Sequence, residues 1–263
     1  MKRIECLVFW LGLAMLVPLL NGQQAASAGP RNGMPDACLH LFTVGSGNNS
    51  LQYCVTDNGT ISSIETPFGH PMLGAKGEGY GLCQESPAIE YHDYLVDQAG
   101  WGTATVLKSS KSTIKISRTT ADGLWTLVQT ITKISSPASA KVIMALTNNQ
   151  SEDHVAYLLR FMDVDADGQN RFQDWGLASF QGAVVQWGVS FPGYGLLVQN
   201  AANAPFGYQQ GFVRILETGP NACDFGANGF SEVRFNTASM ELVYAGPVPA
   251  HQTLTVKMIY RAL

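Results

Sequence analysis

Charge is scarce in this chain: Asp, Glu, Lys and Arg supply 14% of its 263 residues, against roughly 25% in a typical globular domain. No block of basic residues stands out along the chain, so neither nucleic acid nor an anionic membrane surface is an expected partner. The apolar stretch Leu7–Leu20 is too short to span a bilayer, and no later segment approaches that length. The C-x-x-C, G-x-S-x-G and H-E-x-x-H patterns are missing, as is a Gly-rich phosphate loop. The nearest approach to a nucleophile elbow, Gly188-Val189-Ser190-Phe191-Pro192, fails at its last position. Helical periodicity of 3.6 residues does not persist anywhere beyond the first residues. That absence argues against a βαβ architecture.

The start of the chain is read as a secretory leader. Lys2 and Arg3 make a short basic region, the Leu7–Leu20 run follows, and Ala26-Ser27-Ala28 supplies small residues for cleavage. Residues 1–28 are therefore expected to be a signal peptide, residues 29–263 a single domain, and the mature protein secreted. Without Lys2, Arg3 and Glu5, 14 of 16 basic and 19 of 20 acidic residues remain, a net charge near −5.

Four cysteines outlast that cleavage: Cys38, Cys54, Cys83 and Cys223. An even count in an exported chain favours two disulfides, for which three connectivities exist. Their spacing favours one bridge within the N-terminal third and a second tying Cys223 back to it.

Twenty-seven glycines punctuate segments of alternating apolar residues. Ser50–Thr56 and Thr60–Thr66 flank Asp57-Asn58-Gly59, the chemistry of a tight hairpin turn. Gly69–Gly81 reads as an extended loop. Thr103–Leu107, Thr113–Thr119, Leu124–Ile134, Lys141–Asn148 and Val155–Asp163 form consecutive strand candidates of one antiparallel meander. Phe172–Phe180 fits a short helix, and strands resume up to the clean alternation of Leu254–Tyr260. The expectation is an all-β fold, an antiparallel β-sandwich of many short strands and irregular loops, with at most one short helix.

The segment richest in chemistry is Asp163-Val164-Asp165-Ala166-Asp167-Gly168-Gln169-Asn170-Arg171-Phe172-Gln173-Asp174. Alternating aspartates converge on one hard cation only where the backbone turns tightly, and Gly168 stands where such a turn needs no Cβ. These twelve residues resemble an EF-hand or dockerin-type calcium loop. The resemblance implies side-chain ligands from Asp163, Asp165, Asp167 and Asp174, a backbone carbonyl from Gln169, and one structural Ca²⁺. The approach to the loop reads as a strand rather than an entering helix, and no second loop exists for it to pair with. The alternative is an Asp-rich turn whose carboxylates cap backbone N–H groups. The whole chain resembles secreted bacterial β-sandwich proteins that carry no assigned activity.

Trp175 directly follows the last Asp of the loop, and Tyr194 lies in similarly irregular sequence. Both are candidate ligand-binding rings of the kind that pack on a sugar face, whereas Trp125 and Trp187 fit a core. His92-Asp93, flanked by Tyr91 and Tyr94, is the pair considered for acid–base chemistry, but adjacent strand residues point to opposite faces. No residue is singled out as catalytic. The favoured function is a calcium-stabilised, non-catalytic module that binds carbohydrate or another extracellular surface component. One alternative is a secreted hydrolase or lyase acting on carbohydrate through carboxylates among Glu78, Glu85 and Glu90. The other is a structural envelope or matrix protein.

Overall fold

Side chains that alternate between apolar and polar define nearly every segment from His40 onward, and antiparallel pairing turns that alternation into two-faced sheets. The computed structural model describes residues 38–95, 97–168, 174–180, 183–189, 193–201, 212–216, 220–224, 233–234 and 239–263. At 168, 174–180, 183–189, 212–216 and 233–234 only the backbone path is described. The leader at 1–28 and Gln169 lie outside the described residues.

Strands β1 (His40–Val44), β2 (Leu51–Val55) and β3 (Ile61–Glu65) make a small sheet. β4 (Leu73–Gln84), β5 (Ile89–Tyr94) and β6 (Asp97–Ala99) follow as a meander at one edge of a six-stranded sheet. The chain then enters a nine-stranded sheet through β7 (Thr105–Ser109), β8 (Thr113–Thr119), β9 (Trp125–Ser135) and β10 (Ala138–Asn148). β11 (His154–Val164) returns to the six-stranded sheet beside β4. Next come β12 (Asp174–Phe180), β13 (Ala183–Val189), β14 (Gly195–Asn200), β15 (Phe212–Leu216) and β16 (Val233–Arg234). β17 (Ser239–Val248) and β18 (Thr253–Ala262) close the fold. The six-stranded order is β15-β17-β11-β4-β5-β6, and the nine-stranded order is β16-β12-β13-β14-β18-β10-β9-β8-β7. All described residues fall in one compact unit, Asn32–Leu263. The antiparallel β-sandwich expected from sequence is the fold observed.

Three expectations need correction. The meander stops at β10: β18 occupies the far edge of β10 in register from Ser139↔Arg261 to Thr147↔Thr253, so β11 joins the other sheet. Gly69–Gly81 is not a loop, since Leu73–Gln84 forms an interior strand. Its glycines serve close approach, because a Cβ on Gly79 would collide with Asp93 O and Tyr94 Cα, and one on Gly81 with the Tyr94 hydroxyl. The described part of Phe172–Phe180 is not helical either. Asp174–Phe180 is a strand laddered to β13 from Asp174↔Val189 to Phe180↔Ala183, and a continuous strand partner overrides weak local preference.

The two large sheets bury one apolar layer between them. Trp125, Leu127, Met144 and Val256 from the nine-stranded sheet meet Leu82, Leu158, Leu242 and Tyr244 from the six-stranded one. Trp125 is fully buried, as the sequence predicts, and its indole N–H donates to Gln84 Oε1 at 3.0 Å. A smaller cluster of Leu159, Phe161, Tyr94, Val243 and Ala222 lies on the opposite face of the six-stranded sheet.

A charged cluster interrupts the layer. Arg160 donates through Nε to Glu78, through Nη1 to Gln129 Oε1 at 2.5 Å and through Nη2 to the Gly59 carbonyl at 3.0 Å. Glu78 also accepts the Ile61 N–H at 2.6 Å and the Tyr260 hydroxyl at 3.1 Å. Beside it, Arg118 bonds Asp93 and the Tyr80 hydroxyl, and Tyr80 in turn donates to the Asn58 carbonyl at 2.8 Å. Burial pushes the Glu78 carboxyl up from its ordinary range, and Arg160 opposes that push. The Asn58 and Gly59 carbonyls come from the tip of the β2–β3 hairpin, where Gly59 adopts φ 89°. The small sheet is thereby anchored to the sandwich by hydrogen bonds as well as apolar contact.

Both disulfides follow the expected pattern: Cys38–Cys54 within the small sheet and Cys83–Cys223 across 140 residues of chain.

Candidate functional site

The acidic segment lies where four strands end together. β11 runs into it, β4 and β17 begin beside it, and Tyr194 precedes β14 of the other sheet. Pairing of β11 with β4 jumps from Met162↔Glu78 to Val164↔Leu73, so residues 74–77 of β4 bulge opposite Asp163. Bulging frees backbone donors, and the Asp163 carboxylate satisfies one: Lys76 N–H donates to Oδ2 at 2.8 Å. The Ser239 hydroxyl donates to Oδ1 at 3.0 Å. Asp163 is accordingly buried, at 7% exposure.

Asp165 turns its carboxylate toward the same bulge. A Cβ on Gly74 would collide with Oδ2 of both Asp163 and Asp165, so the two carboxylates converge on a space that only glycine leaves open. Asp167 points elsewhere. Its Oδ1 lies 2.7 Å from His70 Nδ1, and His70 in turn packs against Tyr194, with ring centroids 3.9 Å apart and planes at 37°. Asp167 adopts φ 60° and ψ 30°, a left-handed conformation that Asp tolerates better than most residues. The left-handed step thus falls one residue before Gly168, where the sequence placed it.

Of the expected site residues, the structure brings Asp163 and Asp165 together over Gly74 and, separately, links Asp167 to Tyr194 through His70. Asp174 is the first residue of β12, opposite Val189 and Arg234, and Trp175 follows it opposite Gly188 and Val233. Gln169, like the side chains of Asp174 and Trp175, lies outside the described residues. Among the described residues, no three His, Cys, Asp or Glu side chains are grouped to hold a metal ion. The loop is entered from a strand, so the helix of an EF-hand does not precede it.

The carboxylates offered for hydrolytic chemistry do not gather. Glu78 faces the interior in its pair with Arg160, whereas Glu90 occupies the outer face of the same sheet and accepts the Ala222 N–H at 2.9 Å. Glu85 accepts the Tyr157 hydroxyl at 3.2 Å at the exposed hairpin end. His92 and Asp93 do point to opposite faces: Asp93 meets Arg118 inside, while His92 sits 3.2 Å from Asp97 outside.

Sequence reading missed His70, Gly74, Lys76 and Ser239. His70 and Asp167 are 97 residues apart, and no local pattern announces such a contact. Only the glycine at 74 inside an apolar strand carried a signal, that of a bulge or close approach.

No protein-family profile and no curated protein sequence matches the chain. Solved structures do. An Escherichia coli K12 protein provisionally assigned as an aldose 1-epimerase superimposes with a TM-score of 0.50 at 12% identity, covering 85% of this chain and 98% of the other. A bacterial glucoamylase complexed with acarbose gives a TM-score of 0.59 at 8% identity, covering 87% of this chain and 32% of the enzyme. At such identities the likeness shows a common β-sandwich fold.

Proposed function

We propose that this protein is an exported, non-catalytic carbohydrate-binding β-sandwich whose ligand docks at the strand ends around Tyr194. The observation that carries the reading is the Tyr194–His70–Asp167 assembly, a ring held in place beside a carboxylate at the junction of the two sheets. Sugars present apolar C–H faces bordered by hydroxyls, so a ring with adjacent acceptors matches them. The names of the two similar structures, an aldose epimerase and a glucoamylase with acarbose, point to the same ligand class. One structural Ca²⁺ held by Asp163, Asp165, Asp167, Asp174 and the Gln169 carbonyl belongs to the same proposal. Its support is the spacing of the loop and the convergence of Asp163 and Asp165 over Gly74. Such an ion offsets the repulsion of neighbouring carboxylates. A glycan array probed with the mature chain, in calcium and in EDTA, tests this; folded protein that retains no glycan in either condition refutes it.

A second reading, acid–base chemistry on a bound sugar, is favoured by the 2.7 Å contact of His70 Nδ1 with Asp167. A carboxylate so placed fixes the ring and its proton on one side, leaving the other nitrogen to exchange a proton. Turnover of an array-positive sugar that disappears in His70→Gln while binding persists would select this reading over the first.

A further inference from the structure

Strand pairing segregates charge in a chain that is acidic overall. Strands β7, β8, β9, β10, β14 and β18 contain not one Asp or Glu. The six-stranded sheet, by contrast, carries Glu78, Glu90, Asp93, Asp97, Asp163 and Glu241. On the nine-stranded sheet the inward positions are mostly apolar, Arg118 and Gln129 of the buried cluster excepted, and five other cations occupy outward positions on the opposite face. Lys257 and Arg261 flank Ile259, which pairs with Lys141, so Lys141 lies diagonally beside both. At the far edge Lys108 stands directly opposite Lys115. A like-charged pair in that position destabilises the sheet. None of these five side chains forms an ion pair among the described residues. Between the two groups, on β9, lie Thr130 opposite Lys115 and Thr132 opposite both Lys141 and Thr113, the last pair with hydroxyls 3.2 Å apart.

The geometry points to a second, separate binding surface: the outer face of the nine-stranded sheet, taking a polyanionic glycan across Lys108, Lys115, Lys141, Lys257 and Arg261. The inference rests on the carbohydrate reading above only for the class of partner, since Tyr194 and the acidic loop form no part of this face. Charge complementarity selects an anion. Strands set about 4.8 Å apart spread the cations over β7, β8, β10 and β18, which suits an extended chain with repeated charge rather than one compact ion. Threonine hydroxyls donate to and accept from sugar hydroxyls and carboxylates. The outward residues of β7 to β10 and β18 include no aromatic ring, while by register Trp187 of β13 falls on the face of Arg261, so the oligonucleotide arm of the test below decides against nucleic acid. These strands include no amphipathic helix to seat in a lipid interface either.

Affinity electrophoresis of the full chain through gels containing polygalacturonate, dextran sulfate or neutral dextran tests the inference. Retardation is expected in one or both polyanions and not in neutral dextran, and it should vanish near 1 M salt, where the screening length is about 3 Å. The doubly reversed variant Lys141→Glu with Lys257→Glu, whose side chains face solvent, should melt like the parent and bind about tenfold more weakly. Polygalacturonate against dextran sulfate separates uronate from sulfate recognition. Absence of retardation, equal retardation of the variant, or binding to phosphatidylserine vesicles or oligonucleotides in place of the glycans would overturn the inference. Tyr194→Ala should leave polyanion retardation intact, so loss of neutral-sugar binding there and loss of polyanion binding in the charge-reversed variant fail independently.

Discussion

Asp163 and Lys76 meet across a bulge: the carboxylate of the one accepts the backbone N–H of the other at 2.8 Å, where the β4–β11 ladder breaks. One aspartate of the acidic loop is therefore already engaged in holding the sheet, while Asp165 is the neighbour that shares its open space over Gly74.

This division separates two substitutions that the sequence alone would treat alike. Asp163→Ala should destabilise the protein by about 1–3 kcal/mol even in EDTA, since Lys76 N–H and the Ser239 hydroxyl lose their acceptor. Asp165→Ala should abolish stabilisation by calcium. At a calcium concentration one hundredfold above Kd the parent gains about 2.7 kcal/mol. Thermal unfolding in EDTA and across a calcium series reads both. A parent melting point unmoved by calcium would remove the ion from the account.

The Arg160–Glu78 pair should behave as a buried ion pair whose partners tolerate joint but not single removal. Arg160→Met or Glu78→Gln alone should each cost about 3–5 kcal/mol, because each leaves a buried charge with its partner gone. Arg160→Met with Glu78→Leu should recover part of that loss. Denaturant unfolding of the four proteins gives the coupling; strict additivity would show that the two side chains act separately.

Asp122 supplies a pH dependence of definite sign. Burial raises its carboxyl, but hydrogen bonds from Thr120, Tyr91 and the Leu124 N–H outweigh that, and the net shift is downward. A carboxyl depressed in the folded state stabilises fully above its unfolded pKa, near 3.9, and loses that contribution as pH falls through the folded value. Asp122→Asn should therefore be less stable than the parent at pH 6, by less than about 1 kcal/mol because the carboxylate is exposed and screened, with the gap closing below about pH 4. A gap that stays constant down to pH 2.5 would contradict the assignment.

The two disulfides should differ in worth. Cys83–Cys223 closes 140 residues and Cys38–Cys54 closes 16. By loop-closure entropy these amount to roughly 5 and roughly 3 kcal/mol. Paired Cys→Ser variants, compared by thermal unfolding, should rank in that order.

How much was legible beforehand depended on the range of the interactions involved. Strands such as Thr113–Thr119 and Leu254–Tyr260 announce themselves, because alternation is local and one face must be buried. Asp163, Asp165 and Asp167 were conspicuous for the same reason, being close in sequence. Gly69–Gly81 misled, since the glycines that resemble a loop are there to admit Asp93, Tyr94 and Leu95 from the adjoining segment. His70 and Ser239 join the site from 97 and 76 residues away, and nothing in a single sequence ties them to it. The cationic face escaped notice for a related reason. Its lysines are dispersed along the chain, and strand order alone assembles them.

The most direct test of the carbohydrate reading is saturation-transfer NMR of a neutral oligosaccharide with the parent protein and with Tyr194→Ala, both in calcium. The account predicts transfer to the sugar C–H face in the parent and roughly tenfold weaker binding in the variant, as expected for loss of one stacked ring worth about 1.4 kcal/mol. Equal transfer from both proteins, or none from a folded parent, would contradict it.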